Sequence, residues 1–249
     1  MEHLDAHFGQ LRHLLAAESS PKVALSAQRY FPHPVNILGV ANGEVMKIAD
    51  DYLKVHVDLS PADRLNLTER LIAEGEYHEE LMLGFALIRK VVKRNFDDEL
   101  LSRFHYWLEH HISNWAQCDD LCLKVIYPYF LSRTPLITRI GSWTDSPAIW
   151  CRRAGNVALV KFIHRKIGKE LYRLPLQIVF DNSLKLFDDP EPYVQKSVGW
   201  LLKASAKVHQ DEVVGFIEKN VGRMQRGTLR YAIEHLVPEQ RRALMAMKG

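Results

Sequence analysis

Trp115 and Asp119 stand four residues apart, directly after Ser113 and Asn114. On a helix, positions i and i+4 share a face, so an indole and a carboxylate would meet the same neighbour. A fixed carboxylate beside an electron-rich ring suits a reaction that develops positive charge. The same helix would bury Cys118, Leu121, Cys122 and Val125, which sets Asp119 at the margin of the core or beyond it. A plain surface carboxylate beside a partly buried Trp115 satisfies that pattern equally well. Trp200 has Lys196, Lys203 and Lys207 at i−4, i+3 and i+7. An aromatic on a cationic stripe suits contact with a sugar–phosphate backbone or a nucleobase. The alternative is an indole packed on a neighbouring helix while the lysines snorkel past it. Arg153 follows Trp150 by three positions near a helix start. Its guanidinium fork would bridge two phosphate oxygens or pair with an acid of an adjacent element. Trp150 lines up with Ala154 and Val157 and reads as core.

Other chemistries find no support in the residues. His110, His111, Cys118, Asp119 and Cys122 are metal-ligand types, but their spacing fits no zinc pattern, so neither a metal site nor a cofactor is expected. There is no glycine-rich phosphate loop, nucleophile elbow or HExxH. With 249 residues, 47% hydrophobic and 25% charged, the chain is long enough for a sizeable core and too apolar for wholesale disorder. No apolar run approaches the roughly 18–20 residues of a membrane span. The N-terminus lacks the apolar stretch of a signal peptide, and three cysteines fit a reducing compartment, so a cytoplasmic protein is expected. Net charge is only +3, but cations cluster at Arg89–Arg94, Arg139–Lys169 and Arg223–Arg230. Such clusters suit a polyanion partner or a solvated face.

The elements that must position these residues read as helices. Ser60-Pro61, Ser146-Pro147 and Asp189-Pro190 look like capped, proline-opened starts, and Gly75, Gly141 and Gly222 sit where helices should stop. Apolar residues recur at helical spacing, as in Leu65, Leu67, Leu71, Ile72 and in Val194, Val198, Leu201, Leu202. About a dozen helices are expected, and the longest irregular stretch is Phe31–Asn42. Segments 76–88, 114–126, 147–160 and 192–205 align with Glu80, Asp119, Arg153 and Lys196 as equivalents, at spacings of 39, 34 and 43 residues. That period predicts an all-α solenoid of HEAT-like antiparallel helix pairs, one curved domain over 1–249 with no strand in its core.

Four motifs in order resemble the AlkD-type DNA glycosylases of alkylation repair. RYFPHPVNILGV supplies Tyr30 and Gly39, NWAQCDD supplies Trp115 and Asp119, IWCRRAG supplies Trp150 and Arg153, and YVQKSVGW supplies Gln195, Lys196, Gly199 and Trp200. The likeness covers about residues 20–210, with the helices of 209–247 packing as a last repeat. Ala116 replaces a frequent acid, Asp120 stands as a second carboxylate, and 47 residues separate Arg153 from Trp200, which calls for longer helices or an inserted loop. The resemblance implies release of N3- or N7-alkylpurines from duplex DNA without base flipping, by a monomer. Asp119, Trp115 and Trp200 would be catalytic, and Tyr30, Arg153, Lys196 and Lys203 would hold DNA on one concave face. The competing readings are a non-catalytic module for the nucleic-acid backbone and a protein-binding scaffold.

Overall fold

A computed structural model describes residues 2–247. It is all-α, with fourteen α-helices and one small hairpin among the described residues. No helix among them is long and apolar enough to cross a membrane. Contacts divide the chain into two compact units, residues 1–132 and 133–249.

The first unit contains α1 (Glu2–Ala17), α2 (Pro21–Gln28), α3 (Asn42–Val55), α4 (Pro61–Ala73), α5 (His78–Ile88), α6 (Leu100–His110), α7 (Trp115–Asp120) and α8 (Tyr127–Phe130). Ser60 opens α4 as expected: its Oγ accepts from Asp63 N–H while the Asp63 carboxylate accepts from Ser60 N–H, a complete capping box. Gly75 ends the helix, because a Cβ there would lie 2.2 Å from the Leu71 carbonyl oxygen. Helix α5 is buried on every side from Glu79 to Ile88, with α3 and α4 against it. Thr68 Oγ1 donates to Gly84 O at 2.8 Å and fastens α4 to α5.

Between α7 and α8 the backbone runs through a π-helical turn, Leu121–Ile126, where Tyr127 N–H reaches back five residues to Cys122 O. Pro128 stands just beyond it. Proline offers no N–H and its ring crowds the carbonyl at i−4, here Lys124, so a wider turn is the local solution.

The second unit opens with a 3₁₀ segment, Thr134–Asp145, and continues with α9 (Ile149–Val157), α10 (Leu176–Leu186), α11 (Pro192–Ala206), α12 (Gln210–Asn220), α13 (Arg226–Ala232) and α14 (Pro238–Ala246). Two of the expected starts are displaced. Ser146 Oγ accepts from Ala148 N–H and Asp189 Oδ1 accepts from Glu191 N–H, so both side chains close turns. The helices therefore begin at Ile149 and Pro192. Gly141 lies inside the 3₁₀ segment and stops no helix.

Helix α11 is the centre of this unit, contacted by α9, α10, α12 and α13. Gln195 is buried in it and donates to the carbonyls of Leu186, Phe187 and Asp189, sealing the end of α10, while its Oε1 accepts from Thr228 at 2.7 Å. Gly199 faces α13, where a Cβ would stand 3.0 Å from Thr228 O. Asn156 ties α9 to α11 through Ser197 Oγ at 3.0 Å.

The hairpin is β1 (His164–Ile167) paired antiparallel with β2 (Glu170–Arg173), turning at Gly168 with φ +62°. It accounts for the long interval between Arg153 and Trp200, as an excursion of the chain and not a lengthened helix.

Candidate functional site

The first unit holds a hollow of about 430 Å³ lined by Tyr30, Phe31, Asn42, His78, Trp115, Asp119 and Asp120. Its wall is the irregular stretch foreseen at 31–42, and a buried carboxylate holds that stretch in place. Glu79 accepts hydrogen bonds from the backbone N–H groups of Leu38, Gly39 and Val40 at 2.9, 2.8 and 3.1 Å. Three donors converging on one carboxylate fix a loop that has no ladder of its own. Gly39 is required there: its φ is +84°, and a Cβ would stand 2.1 Å from the Ser20 carbonyl oxygen. Sequence reasoning missed Glu79. The available signal was a pair of acids, Glu79 and Glu80, opening a helix that is otherwise apolar.

The opposite wall is α7. Asn114 caps it, accepting from Ala116 and Gln117 N–H at 3.1 and 3.0 Å. Cys118, Leu121, Cys122 and Val125 are fully buried, as their spacing required. That anchoring turns Trp115 and Asp119 together toward the hollow. Trp115 Nε1–H donates to the Tyr30 carbonyl at 3.1 Å, and the Phe31 ring lies 6.0 Å from the indole. The Tyr30 ring itself is 70% exposed. Asp120 is engaged by its surroundings: Lys124 Nζ donates to it at 2.7 Å and Asn42 Nδ2 at 3.4 Å. Burial nevertheless raises its pKa above the usual carboxylate range, against the pull of Lys124, Asn42 and His78. His78 is lowered, mainly by burial, although Glu79 and Asp120 favour its charged form.

In the second unit, Trp200, Lys203 and Lys207 line a hollow of about 280 Å³ with Lys161 and His164. Of the stripe read around Trp200, Lys203 and Lys207 share this hollow with the indole and Lys196 does not. Lys203 pairs with Glu234 at 2.8 Å and lies 3.8 Å from the centre of the Tyr231 ring. Lys196 is exposed, with its ammonium 5.4 Å from the Tyr193 ring centre. Arg153, read as a phosphate fork, is only 5% exposed and donates to the Tyr193 carbonyl at 2.6 Å. It ties α9 to the first turn of α11. Its neighbour Arg152 donates to Asp189 at 2.6 Å and to the carbonyls of Ser146 and Pro147.

The site residues therefore group as Tyr30, Trp115 and Asp119 in the first unit, and Arg153, Lys196, Trp200 and Lys203 in the second. A carboxylate and an indole on the wall of an open hollow can steady a cationic group. A half-buried indole among lysines can lie along a polyanion.

A predicted DNA alkylation repair enzyme from Enterococcus faecalis is similar at a TM-score of 0.75 and 16% identity, covering 89% of this chain and 98% of that one. The Pseudomonas fluorescens alkylpurine DNA glycosylase AlkC, bound to DNA containing an abasic site analog, is a more distant likeness, at a TM-score of 0.43 and 15% identity over 82% of this chain and 66% of that one. No curated protein matches the chain. The family model for DNA alkylation repair enzymes matches residues 11–236, from the first helix to the link before α14. By that match the chain belongs to the DNA alkylation repair enzyme family.

Proposed function

We propose that the protein is an AlkD-type glycosylase of HEAT-like repeats that hydrolyses the N-glycosidic bond of cationic N3- or N7-alkylpurines in duplex DNA. The observation that carries this reading is the shared placement of Trp115 and Asp119 on the wall of the 430 Å³ hollow. An alkylated purine already bears positive charge and leaves without a strong general acid. Cleavage of C1′–N then puts oxocarbenium character on the deoxyribose. Asp119 would stabilise that charge and place the attacking water, while the Trp115 face, held through Nε1–H to Tyr30 O, would border the sugar. Asp120 pairs with Lys124 and Asn42, and the catalytic role is placed on Asp119 by its position one turn from Trp115 on the wall of the hollow. In the second unit, Trp200 and Lys196 would follow the backbone, joined by the exposed hairpin cations Arg165, Lys166, Lys169 and Arg173. Arg153 becomes a positioning residue, through the Tyr193 carbonyl.

The test is single-turnover release of N7-methylguanine from duplex DNA. Asp119→Asn is expected to slow release by about 10²–10³-fold with affinity for undamaged duplex retained. Asp120→Asn is expected to keep most of the rate. Equal rates for wild type and Asp119→Asn would overturn the catalytic assignment. A wild type that binds duplex steeply with salt and releases no base would favour the second reading, a module for the nucleic-acid backbone.

A further inference from the structure

A second cluster lies in the first unit, outside the lining of the hollow. His3 and His7 occupy successive turns of α1, and their Nε2 atoms are 3.2 Å apart. His7 is 6% exposed, and a hydrogen-bond relay through Tyr52 orients its ring. Tyr52 Oη donates to Gln10 Oε1 at 3.1 Å, spending its single hydrogen. With that hydrogen so placed, its oxygen accepts from the Nδ1–H tautomer of His7, 2.6 Å away. In that tautomer His7 Nε2 is the unprotonated nitrogen, 3.2 Å from His3 Nε2. A ring nitrogen whose partner nitrogen donates to a fixed acceptor is the orienting arrangement of metal-ligating histidines.

The distances fit such a role. Two nitrogens at a Zn–N length of about 2.0–2.1 Å with a tetrahedral angle lie about 3.3 Å apart, close to the 3.2 Å found. The Asp58 carboxylate, on the link between α3 and α4, stands 4.0 Å from His3 Nε2. It is 66% exposed, so rotation of its side chain can close the remaining gap. The His56 ring packs edge-on to His7, with centroids 4.8 Å apart. Two imidazoles and one carboxylate form a borderline donor set, and water would complete four-coordination.

We propose that His3 Nε2, His7 Nε2 and the Asp58 carboxylate bind one divalent cation of the zinc class, clamping the start of α1 to the α3–α4 link. The test uses the full chain, stripped with chelator and titrated with Zn²⁺ alone, read by calorimetry and by melting temperature. Wild type is expected to take up zinc at this site and melt at higher temperature. His3→Ala removes a ligand that is 65% exposed and carries little of the fold. It is expected to weaken zinc binding by at least about tenfold and abolish the rise in melting temperature. Asp58→Asn is expected to weaken binding by a smaller factor. A His3→Ala variant that binds zinc and is stabilised as wild type is would overturn the proposal, and so would a wild type that takes up none.

Discussion

At the scale of single residues, His78 shows how the hollow is tied to solvent conditions. Its Nδ1 accepts from Asn114 Nδ2 at 3.4 Å, and burial lowers its pKa. The unfolded imidazole protonates near its ordinary pKa of about 6.5, while the folded one resists until lower pH. Above that value neither form is charged and nothing is lost. As pH falls through about 6.5 the unfolded chain takes up a proton that the native chain refuses, so stability declines until the folded pKa is passed. Melting temperature followed from pH 8 to 5 is expected to fall more steeply for wild type than for His78→Gln; parallel curves would remove His78 as the cause. Site legibility followed the same physics. Trp115 and Asp119 were readable because they share one helix face with a recognisable buried stripe. Glu79 was not, because its partners are backbone N–H groups some forty residues away, and backbone leaves no signature in side-chain spacing. His3 and His7 carry helical spacing too, but Tyr52 and Asp58 are what give that spacing meaning.

At the scale of elements, the π turn at Leu121–Ile126 is the feature most closely joined to the site. It separates Asp119 from the buried anchors Tyr129 and Phe130, and a wide turn resets the angular register between them by up to about 100°, one helical residue. Pro128→Ala would offer Lys124 O an N–H and remove the reason for the wide turn. The variant is expected to gain stability, up to the roughly 3 kcal/mol that a proline costs inside a helix, and to release base more slowly. Thermal melting with single-turnover rates checks both halves, and unchanged catalysis would show that the turn does not aim Asp119. The turn has no spacing signature of its own, because a proline such as Pro128 opens a helix as readily as it widens one. Ser146 and Asp189 misled in a related way: both cap something, but a turn and not a helix. Ser60, whose third following residue is Asp63, could answer with a reciprocal bond, and there the start was read correctly.

At the scale of the whole molecule, part of the cationic charge is spent within the fold. Arg89 and Lys90 pair with Asp50, Arg152 with Asp189, Lys185 with Asp145 and Arg223 with Asp188. The runs of cations that suggested a polyanion partner therefore overstate the charge available to one. Lys166 and Lys169 stand exposed on the hairpin, so Lys166→Ala and Lys169→Ala are each expected to flatten the salt dependence of duplex binding by about one phosphate contact. Arg153→Ala is expected to lower the melting temperature instead, as befits a buried donor. Titrations at several salt concentrations separate the two behaviours, and a loss of salt slope in Arg153→Ala alone would reverse them. The hairpin carries one more consequence. The chain leaves the helical body at Ile163 and returns at Leu174, whose N–H donates to Phe162 O at 3.1 Å, so the two ends are already joined without the residues between them. The turn at its far end can therefore be lengthened while Tyr172 keeps its packing on Phe162. The Gly168–Lys169 tip is accordingly the place to splice in an epitope or a fluorescent reporter while the rest of the protein folds as before.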